Sequence, residues 1–137
     1  MYKVLIDTDI LLDFFYDRKP FAGSAESILA LCEKGEIKGY TTSVIFSNCY
    51  YLLRKTGSHK KVLQQLRKLL QILDMLVTNK ETLLKAIDSE FKDFEDAIQN
   101  FSAISNGEVN VIITRNTKDY RKSDLAVFNP DEFLAAL

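Results

Sequence analysis

Three separated acidic segments carry the clearest chemical pattern in this chain of 137 residues. Asp7 and Asp9 follow the apolar run Val4-Leu5-Ile6, Asp93 and Asp96 open a stretch with helical apolar spacing, and Asp119 lies just beyond the run Val111-Ile112-Ile113-Thr114. No histidine or cysteine falls among them. Carboxylates alone, gathered from separate segments, suit a hard cation on oxygen ligands, Mg²⁺ or Mn²⁺ rather than Zn²⁺. Such an ion keeps several waters, and it can activate one of them and stabilise the leaving oxygen in phosphodiester cleavage. The plainer reading makes Asp7 and Asp9 helix caps, and Asp93 and Asp96 first-turn acids that complement a helix dipole. That accounts for each acid singly. It does not account for three segments meeting at one sheet edge.

The elements that must position these acids alternate. Tyr2 to Ile6 reads as a buried strand, and Thr8 and Asp9 as caps of a helix over Ile10 to Tyr16 that Pro20 ends. Ser24 opens a helix running to Gly35, and residues 37–42 read as a strand. Ser43 caps a helix closed by Gly57, and Ser58 caps another with apolar positions from Val62 to Leu73. Met75-Leu76-Val77 reads as a strand, 80–87 as a helix, and 93–105 as a helix ended by Asn106-Gly107. Val109 to Thr114 and Ala126 to Phe128 are the last strands, and Pro130 begins a terminal helical turn. Strand–helix alternation without linker or repeat indicates one α/β domain over 1–137, with a mostly parallel sheet of four to five strands. Ligands in such sheets gather beyond the carboxyl ends of the strands. On the helix from Asp93, the side chains of Asp93, Asp96 and Asn100 share an edge beside apolar surface, and Glu95 is expected to point roughly the other way.

Composition narrows the classes further. No apolar run approaches a membrane span, and the opening residues carry acids where a signal peptide would be apolar. Cys32 and Cys49 form no metal-ligand spacing and no disulfide framework, so a reduced cytoplasmic setting is expected. His59 reads as a solvated helix-start residue. Tyr50 and Tyr51 read as core or interface, with base stacking as the functional alternative. The formal charge is −1. Its distribution is uneven: 37–73 holds seven bases and no acid (+7), against −3 for 1–36 and −5 for 74–137. A basic segment beside an acidic pocket is the arrangement a metal-dependent nuclease needs.

The stretch Val4-Leu5-Ile6-Asp7-Thr8-Asp9-Ile10-Leu11-Leu12-Asp13 resembles the opening of the PIN-domain ribonucleases, the family of VapBC-type toxins. Asp93-Phe94-Glu95-Asp96-Ala97-Ile98-Gln99 and Ile113-Thr114-Arg115-Asn116-Thr117-Lys118-Asp119-Tyr120 resemble its third and fourth motifs, and 127–134 its closing strand and helix. The resemblance implies a three-layer α/β/α fold, an acidic pocket for Mg²⁺ or Mn²⁺, and RNA cleavage. It assigns Asp7, Asp96 and Asp119 to catalysis and metal binding and makes Asp93 an accessory ligand. Thr8, Asp9, Asn48, Thr114 and Asn116 take supporting roles, and Arg54, Lys55, Lys60, Lys61 and Arg115 are the expected nucleic-acid contacts. Asn48 stands where the family carries Glu, and Asn116 where many relatives carry Asp; each change removes a negative charge. A homodimer and a small antitoxin protein are implied as partners, with no membrane. The other readings are a non-cutting PIN-like module that binds RNA or protein, and a phosphatase of the haloacid-dehalogenase type. Asp7-Thr8-Asp9 resembles the opening of the latter, but no small flap residue follows Asp9 and no late acidic pair follows a strand.

Overall fold

A computed structural model describes all residues from Met1 to Leu137. Five strands, β1 (Lys3–Ile6), β2 (Lys38–Thr41), β3 (Leu73–Met75), β4 (Val111–Ile113) and β5 (Ala126–Phe128), form one sheet in the order β3-β2-β1-β4-β5. Every neighbouring pair is parallel. Central parallel strands are covered on both faces and therefore read as unbroken apolar runs. Val4, Leu5, Ile6, Ile112 and Ile113 are accordingly fully buried.

Helices α1 (Thr8–Phe15) and α2 (Ala22–Glu33) join β1 to β2, and α3 (Ser43–Leu53) and α4 (His59–Leu70) join β2 to β3. Helices α5 (Lys80–Ile87) and α6 (Phe94–Asn106) carry the chain back across the sheet to β4. Right-handed crossovers in opposite directions place these two groups on opposite faces, which gives three layers. A 3₁₀ turn (Thr117–Tyr120) precedes β5, and α7 (Pro130–Ala135) closes the chain against α2. No helix is long and apolar enough to cross a membrane.

Boundaries differ from the sequence reading where a cap or a ladder decides them. Asp7, not Thr8 or Asp9, caps α1, and Thr42, not Ser43, caps α3 by accepting from the Ile45 N–H at 3.1 Å. Helix α2 begins at Ala22, two residues before Ser24, whose hydroxyl is engaged with Asp131 of α7 instead of capping. Strand β3 sits two residues earlier than expected, at Leu73–Met75. Pairing with β2 buries Leu73 there and leaves Val77 77% exposed. The 3₁₀ turn was not foreseen. Gly107 ends α6 with φ 79°, the left-handed cap expected of Asn106-Gly107.

The strand order reverses between β1 and β4. In a parallel sheet this opens a crevice beyond the two carboxyl ends, because the connecting chains leave toward opposite faces.

Candidate active site

Asp7 leaves β1 at that crevice. Its backbone N–H extends the ladder by donating to the Ile113 carbonyl at 3.0 Å, which fixes the Cα against β4. One carboxylate oxygen accepts from the Thr8 N–H at 2.8 Å, and the other accepts the Thr114 hydroxyl at 2.8 Å. The side chain is therefore clamped between the first residue of α1 and the residue that follows β4. It is 6% exposed, and burial pushes its pKa up against the opposing pull of these bonds. The cap and the site residue are the same side chain.

Asp96 reaches the crevice from the first turn of α6. Asp93 caps that helix, its Oδ1 accepting from the Asp96 N–H at 3.0 Å. Asp96 Oδ1 accepts the Tyr120 hydroxyl at 3.3 Å. Burial first, then the charges of Asp7 and Asp93, push Asp96 up to about 7. Asp9 accepts the Arg115 backbone N–H at 3.0 Å, its other oxygen has no partner, and burial followed by the Asp7 charge pushes it up to about 6. Raised by burial and by one another, these acids are groups that a bound cation would favour in the ionised form.

These groups border one cavity of about 500 Å³. Six carboxylates line it, those of Asp7, Asp9, Asp93, Glu95, Asp96 and Asp119, and Arg18 is its one lining base. Thr8, Asn48 and Asn116 line it as well. Thr114 stands behind the lining and acts through Asp7; it also accepts the Asn116 N–H at 3.1 Å. No three Asp, Glu, His or Cys side chains converge closely enough to cage an ion unaided. The donors form an open rim instead.

Glu95 corrects the helical-wheel expectation. It sits one residue, about 100°, from Asp96, and its longer stem swings toward α3, where Asn48 Nδ2 donates to its Oε2 at 2.8 Å. Two further side chains escaped the sequence reading. Gln99 is 2% exposed and lines the cavity; its amide nitrogen donates to the Tyr120 hydroxyl at 3.4 Å, and its Oε1 has no partner. Tyr120 itself is 1% exposed, and burial holds its phenol protonated, so that it donates to Asp96. Helical spacing placed Gln99 beside Asp96, but nothing in the sequence marks it as unpartnered.

The expected nucleic-acid contacts separate into two groups. Arg54, Lys55, Lys60 and Lys61 are exposed around the α3–α4 turn and do not line this cavity. Arg115 has a different setting from the open contact expected of it. Its guanidinium makes two bonds, at 2.7 and 3.0 Å, to the fully buried Asp13 and lies 4.0 Å from the Phe21 ring centroid. A buried carboxylate needs that partner, so the charge is committed inside the fold. Of the tyrosine pair, Tyr50 binds His59 Nδ1 at 2.8 Å, whereas Tyr51 is 69% exposed on the cavity rim.

A family model described as "PIN domain" matches residues 3–118. No curated protein sequence matches. Among solved structures, a toxin–antitoxin complex from Klebsiella pneumoniae superposes with a TM-score of 0.69 and 23% identity, covering 93% of this chain and 97% of the other. VapBC-1 from nontypeable Haemophilus influenzae gives 0.67 and 15%, covering 94% and 98%. Mycobacterium tuberculosis VapC20, a sarcin–ricin-loop-cleaving toxin, gives 0.60 and 13%, covering 98% and 95%. At these identities the superpositions establish the fold.

Proposed function

Because this chain belongs to the PIN-domain family, we propose that it is a divalent-metal-dependent endoribonuclease and the toxin of a toxin–antitoxin pair. The observation that carries the reading is the crevice at the strand-order reversal, where six carboxylates face a single arginine. Asp7 is buried and Asp9 and Asp96 are half-buried, and holding those like charges together beside apolar surface is costly unless a cation joins them. The donor set fits Mg²⁺ or Mn²⁺: it is all oxygen, and the buried, unpartnered Gln99 Oε1 adds a neutral acceptor at the same cavity. An open rim suits an ion that keeps several waters and shares itself with a substrate phosphate.

Asp7, Asp96 and Asp119 would hold the ion, with Asp93 and the Asn48-held Glu95 adding charge and Asn116 an amide. The ion, when bound, acidifies a water and offsets charge on the phosphodiester. Thr114 and the Thr8 N–H fix both oxygens of Asp7, so its orientation costs nothing at the moment of reaction. Asp96, steadied beside the ion, is placed to accept a proton from water; its carboxyl lies at about 7 without a cation, and a bound cation would hold it ionised at lower pH. Tyr120 keeps its proton and steadies Asp96 by donating to Oδ1. Tyr51, exposed on the rim, offers a ring on which a base can stack.

The solved relatives in toxin–antitoxin complexes support a small antitoxin as partner. The exposed apolar Leu63 and Leu70 on α4 are compatible with a homodimer. The same proposal makes 1–137 one domain at work in the cytoplasm. The test is cleavage of a panel of structured and single-stranded RNAs in Mn²⁺. Activity abolished by EDTA and by Asp7→Asn supports the reading. Intact Mn²⁺ binding with no RNA cut favours the binding-module alternative, for which the uncharged Asn48 and Asn116 on the rim speak.

A further inference from the structure

A second cavity, lined by four bases and three acids, adjoins the acidic one. It too has a volume of about 500 Å³, and Asp93 and Asp119 lie on the rim of both. Its remaining polar lining is Lys92, Lys118, Arg121 and Lys122, with Glu90. The four cations come from two segments. Lys92 lies in the loop before α6, Lys118 in the 3₁₀ turn, and Arg121 and Lys122 in the residues that follow it. All four are exposed, and only Lys122 has an ion-pair partner, Glu90 at 3.5 Å.

Lys92, Lys118 and Arg121 thus surround one hollow with no acidic partner within ion-pair distance. Their mutual repulsion in solvent is small, and Asp93 and Asp119 on the rim offset it only through space, since neither forms an ion pair with them. The floor beneath them is fixed. Phe91 packs edge-on against Phe101 and Tyr120, with ring centroids 6.0 and 6.1 Å apart. Tyr120 is the residue whose hydroxyl reaches Asp96. One buried ring therefore ties the basic hollow to the acidic one and holds the two in register.

We propose that this basic hollow binds a backbone phosphate of the RNA flanking the one cleaved, an inference that rests on the nuclease reading above. The Asp93–Asp119 rim is where the strand would pass from carboxylates to cations. Lys92, Lys118 and Arg121, and not the lysines of the α3–α4 turn, then set the electrostatic part of RNA affinity.

The experiment uses the full chain carrying Asp7→Asn, so that RNA stays intact, and a fluorescein-labelled single-stranded oligouridine read by anisotropy. Binding is measured across roughly 50 to 200 mM salt, where each phosphate contact contributes about −0.7 to the slope of log K against log salt for a single strand. Two further proteins carry, in the same background, Lys92→Ala/Lys118→Ala/Arg121→Ala or Lys55→Ala/Lys60→Ala/Lys61→Ala. Every position is exposed, and circular dichroism checks that each variant is folded. The expected result is a slope shallower by at least about 0.7 in the first variant, with affinity several-fold to tenfold weaker, and a smaller change in the second. An unchanged slope in the first variant overturns the proposal while the RNA reading stands, and leaves the hollow to an acidic protein partner. A parent that binds no RNA overturns both.

Discussion

Replacing Asp96 with Asn is expected to stabilise the metal-free protein, and to do so only at neutral and alkaline pH. Asn keeps a carbonyl to accept the Tyr120 hydroxyl, so the change removes a charge and little else. The carboxyl titrates near 3.8 in an unfolded chain and about 7 in the fold, raised by burial and then by Asp7 and Asp93. The unfolded chain therefore gives up this proton first. The fold has its full stability below about pH 4 and loses it progressively as pH rises through about 7. Fully transmitted, that difference is about 4 kcal/mol at 1.36 kcal/mol per pH unit. Asp96 is only half-buried, and solvent screening reduces the expected gain to about 2 kcal/mol. For a chain of this length that is a rise in Tm of about 8 °C near pH 8 and none near pH 4. Saturating Mn²⁺ reverses the order: the wild type gains about 2.7 kcal/mol at a hundredfold excess over Kd, and the variant gains far less. Thermal unfolding followed by circular dichroism, in EDTA and in Mn²⁺, reads all four conditions. Equal melting of the two proteins near pH 8 in EDTA would refute the electrostatic account of the cavity. So would equal stabilisation at both pH values.

Arg115→Ala is expected to cost about 3 kcal/mol in urea unfolding, because it strands the buried Asp13 with only Arg18, at 3.4 Å, to partly neutralise it; a cost below about 1 kcal/mol would show that Arg18 suffices. Glu95→Gln is expected to weaken Mn²⁺ binding several-fold by calorimetry, and Asn48→Asp to loosen Glu95 by setting a second carboxylate against it at 2.8 Å. Unchanged Mn²⁺ affinity in Glu95→Gln would remove that residue from the donor set. Gly39→Ala is expected to destabilise by about 1–3 kcal/mol, since its Cβ would meet Cys32 Sγ at 2.6 Å and Leu73 Cδ2 at 2.7 Å; wild-type stability would mean that α2 and β3 yield.

Much of the fold was legible because the buried strands announce themselves. Val4-Leu5-Ile6 and Val111-Ile112-Ile113 are covered on both faces, and short β-branched apolar runs stopped by polar residues suit that environment. At the edge, β3 was not: only Leu73 of its three residues is buried, so pairing with β2 rather than the apolar pattern sets its place. Strand order leaves no mark in the sequence. Yet the reversal between β1 and β4 is what makes Asp7 and Thr114 neighbours. The acids of one segment could be sorted by helical spacing, as with Asp93 and Asp96. The Asn48–Glu95 bond crosses two helices that no spacing relates. The basic hollow was hidden for a different reason. Its residues lie within 74–137, the segment with the largest net negative charge, where a sum of −5 conceals a local cluster. The span of +7 that did stand out, 37–73, places none of its seven bases in the lining of either cavity.

Crystals of the protein soaked in Mn²⁺ and measured at the manganese absorption edge test the central claim most directly. The account predicts an anomalous peak in the cavity bordered by Asp7, Asp96 and Asp119, lost in Asp7→Asn. A cavity without anomalous density at saturating Mn²⁺ would contradict it.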